Sequence, residues 1–179
     1  IDLRIRQVQV VYRENRQHVT IANSDGAIVD DERMYLSAFV HVVASDGKSV
    51  QTGYESIGGM AGMELFDTYS LEQAAETAAR RAVTMLSARK APAGRMPVVL
   101  SSEAGGTMIH EAVGHGLEAD LAFAGLSVYS NRIGERIASP LITVVDNAAL
   151  PGRRGSYHFD DEGSDSACTV LIESGVLKT

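Results

Sequence analysis

The stretch Met34-Tyr35-Leu36-Ser37-Ala38-Phe39-Val40-His41-Val42-Val43 decides the fold. It is dense in β-branched and aromatic residues, which suit a pleated, half-buried surface. Ser45-Asp46-Gly47-Lys48 closes it with a hairpin signal, and residues 49–56 are expected to return antiparallel. Upstream, residues 3–12 alternate apolar and polar, with Leu3, Ile5, Val8 and Val10 as inward candidates and a slip near Gln7. Glu14-Asn15-Arg16-Gln17 reads as a turn and residues 18–22 as a second strand. Asn23-Ser24-Asp25-Gly26 is a strong turn signal, because an Asp-Gly turn needs the positive φ that glycine supplies. A third strand follows near residues 27–29. Strands joined by short turns, with no helix between them, make an antiparallel meander. His18 and His41 lie in these strands as solvent-facing or hydrogen-bonded side chains.

Ile57-Gly58-Gly59-Met60-Ala61-Gly62-Met63 reads as a glycine-rich link. No Gly-Lys-Ser/Thr follows, so it is not a nucleotide cradle. Ser70-Leu71-Glu72-Gln73 is a capping box that opens a helix running to about Arg89. Leu71, Ala75, Ala78, Ala79, Ala82 and Leu86 share one face, and this alanine-rich surface is expected to pack closely across the meander. Ala91-Pro92-Ala93-Gly94-Arg95-Met96-Pro97 is the best internal boundary. It separates a sheet-plus-helix domain (1–93) from the start of a second domain (94–179). In the second, Val98-Val99-Leu100 reads as a short buried strand, and Ser102 or Thr107 as the cap of a further helix. Residues 141–146 and 169–173 read as strands, Ser174-Gly175 as a turn, and Val176 as the start of a partner strand. The fold class is α+β: an antiparallel meander packed with an amphipathic helix, then a motif-bearing helix and further strands.

The bulk properties narrow the function. A chain of 179 residues suffices for one ordinary domain or two small lobes. No apolar run is long enough to span a bilayer, and no signal peptide is evident. The sequence starts at Ile1 rather than Met and ends in strand-like Val176-Leu177-Lys178-Thr179, which reads as a piece of a longer protein. A net charge of −7 and scattered arginines argue against nucleic acid as a direct partner. Cys168 is the only cysteine, which excludes an intrachain disulfide and fits a reducing cytoplasm.

The chemistry concentrates in Thr107-Met108-Ile109-His110-Glu111-Ala112-Val113-Gly114-His115-Gly116-Leu117-Glu118-Ala119-Asp120. Neutral imidazoles are good zinc ligands. Two on one helix usually sit four residues apart, about 40° around the axis. Here the spacing is five, about 140° on a regular helix, so His110 and His115 could not share an ion. A bulge, kink or early helix end between Glu111 and Gly116 is therefore required of a metal site. Gly114 and Gly116 bracket His115 and weaken the helix by about 1 kcal/mol each relative to alanine. Glu111 follows the first histidine, as the general base does in helical zinc peptidases. There it would take a proton from a zinc-bound water and pass it to the leaving amine.

Residues 106–120 resemble the signature of the TldD/PmbA metallopeptidases. Ile21-Ala-Asn-Ser-Asp-Gly26, Arg136-Ile-Ala-Ser-Pro-Leu141, Asp160-Asp-Glu-Gly163 and Leu171-Ile-Glu-Ser-Gly-Val-Leu-Lys178 match in order across nearly the whole chain. The PmbA (TldE) type lacks the His-Glu-x-x-x-His residues, so their presence favours the catalytic TldD branch. The resemblance implies a zinc peptidase acting on unfolded or extended peptides, in a heterodimer with a PmbA/TldE-type subunit. It makes His110 and His115 zinc ligands and Glu111 the general base. It also implies a third ligand, a cysteine near the C-terminus of the family's longer chains, which is not Cys168. With that ligand missing, this chain is expected to hold a half-site and to be inactive alone. His158, Asp160, Asp161 and Cys168 are the surrogates on offer. A non-catalytic peptide- or protein-binding module, taking strands along the open edge of the meander, is the alternative.

Overall fold

Three antiparallel strands form the first sheet: β1 (Ile5–Ala22), β2 (Ile28–Ser45) and β3 (Val50–Gly59), in the order β1-β2-β3. The computed structural model describes residues 2–179. The two Asp-Gly signals become the hairpin connections, with Gly26 and Gly47 both at φ +88°. The register shifts between Ile5 and Gln7, where the sequence allows a slip. Leu3 lies before the strand and is 90% exposed, and Val8 and Val10 are more than half exposed, so of the four inward candidates only Ile5 packs against the core.

The strands are longer than the sequence suggests. Glu14–Gln17 is not a turn: Glu14 pairs with Leu36 and Gln17 with Arg33 in an unbroken ladder. The polar run marks an exposed ribbon, on which side chains pair across strands. Arg16 Nε donates to Glu32 Oε1 at 2.8 Å and Thr20 Oγ1 to Asp30 Oδ1 at 2.6 Å. Gly58 and Gly59 also belong to a strand rather than a link. A Cβ at Gly59 would lie 2.8 Å from the Gly152 carbonyl, so glycine here permits a close backbone approach.

After the short helix α1 (Leu65–Thr68) comes α2 (Leu71–Met85), capped by Ser70, whose hydroxyl accepts from the Gln73 N–H at 3.2 Å. Such a cap contributes about 1 kcal/mol. Ala74, Ala78 and Ala82 are buried against Val40, Val42, Ala44 and Ile57, which form the core. Ala74 belongs to this contact row although its place on the helix was not read from the sequence. The helix sits so close to β3 that a Cβ at Gly53 would lie 2.5 Å from the Ala82 nitrogen and closer still to the Ala78 carbonyl. Small residues on both sides of that contact are therefore a steric requirement.

The chain groups into two units. The first holds the residues up to Ala91 together with Ala148–Ser166, and the second holds Pro92–Asn147 and Ala167–Thr179. In the second unit, α3 (Ser102–Ile109) runs into a π-turn (His110–Gly114), a 3₁₀ turn (His115–Leu117) and α4 (Ala119–Phe123). A small antiparallel sheet follows, β4 (Val144–Asn147), β5 (Cys168–Glu173) and β6 (Val176–Leu177), in that order. Val98-Val99-Leu100 is not a buried strand: it makes no strand pairing among the described residues, and Val99 is fully exposed. An apolar triplet becomes a strand only where a neighbouring edge receives it. Among the described residues no helix is long and apolar enough to cross a membrane.

Candidate metal centre

The site is built by the way one helix loses its regularity. Ser101, rather than Ser102 or Thr107, caps α3, its hydroxyl accepting from the Ala104 N–H at 3.4 Å. Up to Ile109 the turns are α-helical. The His110 N–H is then shared between the Gly106 and Thr107 carbonyls. The His115 N–H reaches back to the His110 carbonyl, five residues earlier, and closes the π-turn. This is the distortion that the five-residue spacing demands. It brings the two imidazoles together, with ring centroids 4.5 Å apart and planes at 72°.

Glu111 joins them. One ligand atom from each of His110, Glu111 and His115 can be chosen so that all lie within 4.8 Å of one another. Glu111 Oε2 is 3.7 Å from His115 Nε2. Two imidazole nitrogens and a carboxylate oxygen are the donor types a borderline divalent cation prefers, so the residues present fit such an ion. The three side chains are exposed, which leaves the cluster open to a ligand. No other group of three or more His, Cys, Asp or Glu side chains with this geometry occurs among the described residues.

Two loop residues hold the irregular turn from outside. Tyr129 Oη donates to the Ala112 carbonyl at 3.3 Å, and Ser127 Oγ donates to the Gly116 carbonyl. Breaking a helix leaves carbonyls without their usual partners, and these hydroxyls take up two of them. Gly116 is needed for the fit, because a Cβ there would lie 2.6 Å from Tyr129 Cε2. Glu118 also contributes, with Oε1 at 2.6 Å from His115 Nδ1. None of Ser127, Tyr129 and Glu118 was singled out from the sequence. Only Glu118 carried a signal, since three residues after His115 is a neighbouring position on a helix surface.

A cleft of about 930 Å³ opens beside the turn. Gly105, Gly106, Ile109 and His110 form one side, and the segment Ile142–Asp146 contributes the rest of the lining that matters here. A Cβ on Gly105 or Gly106 would meet nothing within 4 Å. Neighbouring protein atoms therefore do not require glycine at either place, although each lowers helix stability by about 1 kcal/mol relative to alanine.

The surrogate ligands are not members of the cluster. His158 Nδ1 is 2.8 Å from Asp31 Oδ1 in the first unit. Asp160 Oδ1 accepts from the Glu162 and Ser164 N–H groups, both at 2.9 Å, as an ordinary turn carboxylate. Asp161 is largely exposed, 3.8 Å from Arg33. Cys168 is a free, exposed cysteine at the start of β5.

Comparison with known proteins identifies the family. Residues 1–86 match the family model described as the PmbA/TldA metallopeptidase central domain, and residues 93–179 match the C-terminal domain of the same family. A protein named Metalloprotease from Methanothermobacter thermautotrophicus is 38% identical over 168 residues, 94% of this chain and 37% of its own length. The Metalloprotease TldD homolog of Haemophilus influenzae is 38% identical over 183 residues, covering 99% of this chain and 38% of that protein. The chain thus spans under two fifths of the length of these curated relatives. A solved structure from Thermotoga maritima, described as a modulator of a DNA gyrase, superposes with a TM-score of 0.83 at 23% identity, covering 99% of this chain and 40% of that one, and shares its fold. The chain belongs to the PmbA/TldD metallopeptidase family.

Proposed function

We propose that this chain carries the metal-binding half of a zinc-dependent peptidase of the TldD type, hydrolysing unfolded or extended peptides. The observation that supports this most directly is the π-turn at His110–Gly114, which makes two histidines five residues apart converge with a glutamate between them. In this reading His110 and His115 hold the zinc. When bound, the ion supplies Lewis acidity, polarising a carbonyl and lowering the pKa of a coordinated water to about 7. Glu111 is the general base: its carboxylate takes the proton of the attacking water and hands it to the departing amine nitrogen. Residues 1–93 act as scaffold and 94–179 as the start of the domain that carries the chemistry.

The cleft supports an extended substrate. β4 is the outer strand of its sheet and Val144–Asp146 lines the cleft, so an extended backbone can lie near His110. The unfilled space over Gly105 and Gly106 suits close passage of that backbone. The reading includes a cytoplasmic location, a PmbA/TldE-type partner subunit and a third zinc ligand outside this chain, without which the chain is inactive alone.

The test is the zinc content of the intact protein with and without His110→Ala. Stoichiometric zinc in the parent, lost in the variant, is expected; equal zinc in both counts against the proposal. A second reading, a non-catalytic module that binds peptides along a sheet edge, draws on β1, an outer strand with Val8, Val10 and Tyr12 more than two fifths exposed. Peptide binding that survives chelation and both His110→Ala and Glu111→Gln, with no hydrolysis in any form, is what that reading requires.

A further inference from the structure

We infer that Glu118 is a positioning residue for the metal centre: it fixes the tautomer and ring orientation of His115, and through that ring the placement of His110. The inference rests on the zinc reading above and adds a residue to it.

The geometry is specific. Glu118 Oε1 lies 2.6 Å from His115 Nδ1, a short contact just under the usual length of charge-assisted N–H···O hydrogen bonds. A carboxylate can only accept, so Nδ1 must carry the hydrogen. In a neutral imidazole that leaves the lone pair on Nε2. This same Nε2 faces the cluster, 3.7 Å from Glu111 Oε2. Glu118 and Glu111 therefore sit on opposite ring nitrogens of one histidine. The first holds the ring and the second shares the space where an ion would bind. His110 stands edge-to-face against His115 at 4.5 Å, so a rotation of the His115 ring would displace it too.

The local backbone explains why this contact forms. After the π-turn the chain tightens into the 3₁₀ turn His115–Leu117, and Glu118 leaves it with extended ψ of 127°. A 3₁₀ turn eclipses residues three apart, which places Glu118 over His115. One irregular segment thus does two things. Its wide turn makes the two histidines converge, and its tight turn supplies the carboxylate that orients one of them. Metal-ligating histidines commonly donate their second N–H to such a carboxylate, and losing it typically costs about 10–100-fold in metal affinity.

The experiment is chelator competition for Zn²⁺ on the intact protein, comparing the parent with Glu118→Ala, Glu118→Gln and His115→Ala. Glu118→Ala is expected to weaken zinc binding about 10–100-fold. Glu118→Gln, whose amide oxygen can still accept from Nδ1–H, is expected to fall between parent and alanine variant. Thermal midpoints of the metal-free forms are read alongside. Zinc affinity of both Glu118 variants within about twofold of the parent, while His115→Ala loses zinc, overturns the inference and leaves the zinc reading standing. Equal zinc binding by parent and His115→Ala, or none by the parent, overturns both. A lowered metal-free midpoint with unchanged affinity marks a purely structural role and also overturns it.

Discussion

At the scale of single residues, chemically similar groups make different contacts. Glu111 and Glu118 are both exposed glutamates on one short segment, yet they meet opposite nitrogens of His115. Only Glu111 stands inside the cluster with both histidines. Replacing it by glutamine keeps shape and hydrogen-bonding capacity but removes the proton acceptor. On the proposed peptidase reading, Glu111→Gln in the intact protein is expected to retain zinc and to lose about 10²–10⁴-fold in kcat toward an extended peptide, the usual contribution of a positioned base. Parallel zinc analysis and turnover measurement check it. Activity within about threefold of the parent would remove Glu111 from the role. That His110, Glu111 and His115 would cluster was legible in the sequence, because metal chemistry restricts which residue types such a motif can use. Ser127 and Tyr129 were not, because they act through backbone carbonyls freed by the helix break. Nothing in a hydroxyl-bearing loop residue announces which carbonyl it will meet.

At the scale of elements, the helix break was legible as a necessity and the strand lengths were not. A five-residue histidine spacing calls for a bulge, a kink or an early helix end, and the π-turn is the one the chain adopts. Residues 13–18 of β1 are polar on both faces, and a polar run reads equally as turn or as solvated ribbon. The ladder through Glu14–Gln17 decides for the ribbon. The glycines around the motif make a paired test of how the break is held. Gly105 lies in α3 with open space beyond it, and Gly116 lies under the Tyr129 ring. Gly105→Ala is expected to stabilise the metal-free protein by up to about 1 kcal/mol through helix propensity alone. Gly116→Ala gains the same local preference but must push the Tyr129 ring away. It also strains the hydroxyl contacts to Ala112 and Gly116, at a cost of about 1–3 kcal/mol. Denaturant unfolding of the two variants should move in opposite directions, and Gly116→Ala alone should weaken zinc binding. If both stabilise equally, Tyr129 does not brace the turn.

At the scale of the molecule, the chain leaves the first unit after Ala91, returns for Ala148–Ser166, and leaves again. The return was invisible in the sequence, because no hydrophobic period marks this segment and its anchors are polar. Asp31, buried on β2, receives Arg33 Nε at 3.0 Å and meets His158 Nδ1 at 2.8 Å, while Arg33 also donates to the Phe159 carbonyl at 2.7 Å. Burial by itself raises the Asp31 carboxyl, but the hydrogen bonds from His158 and Arg33 outweigh it and hold the pKa at about 2, against 3.8 for an unperturbed group. As pH falls, the unfolded chain takes up a proton at this position first. Between about pH 4 and pH 2 the unfolded state therefore binds more protons than the folded one, and stability declines with falling pH across that window. Above it the contribution is fully present. Asp31→Asn keeps the side-chain size but removes the titration and the charge that Arg33 faces. It is expected to lower stability at pH 7 by about 1–3 kcal/mol, the cost of an unmatched buried partner. It should also flatten the decline between pH 4 and pH 2, measured as thermal midpoint against pH by circular dichroism. A variant that keeps the parent's full slope in that window would show that other carboxylates, not this clamp on the returning segment, carry the acid sensitivity.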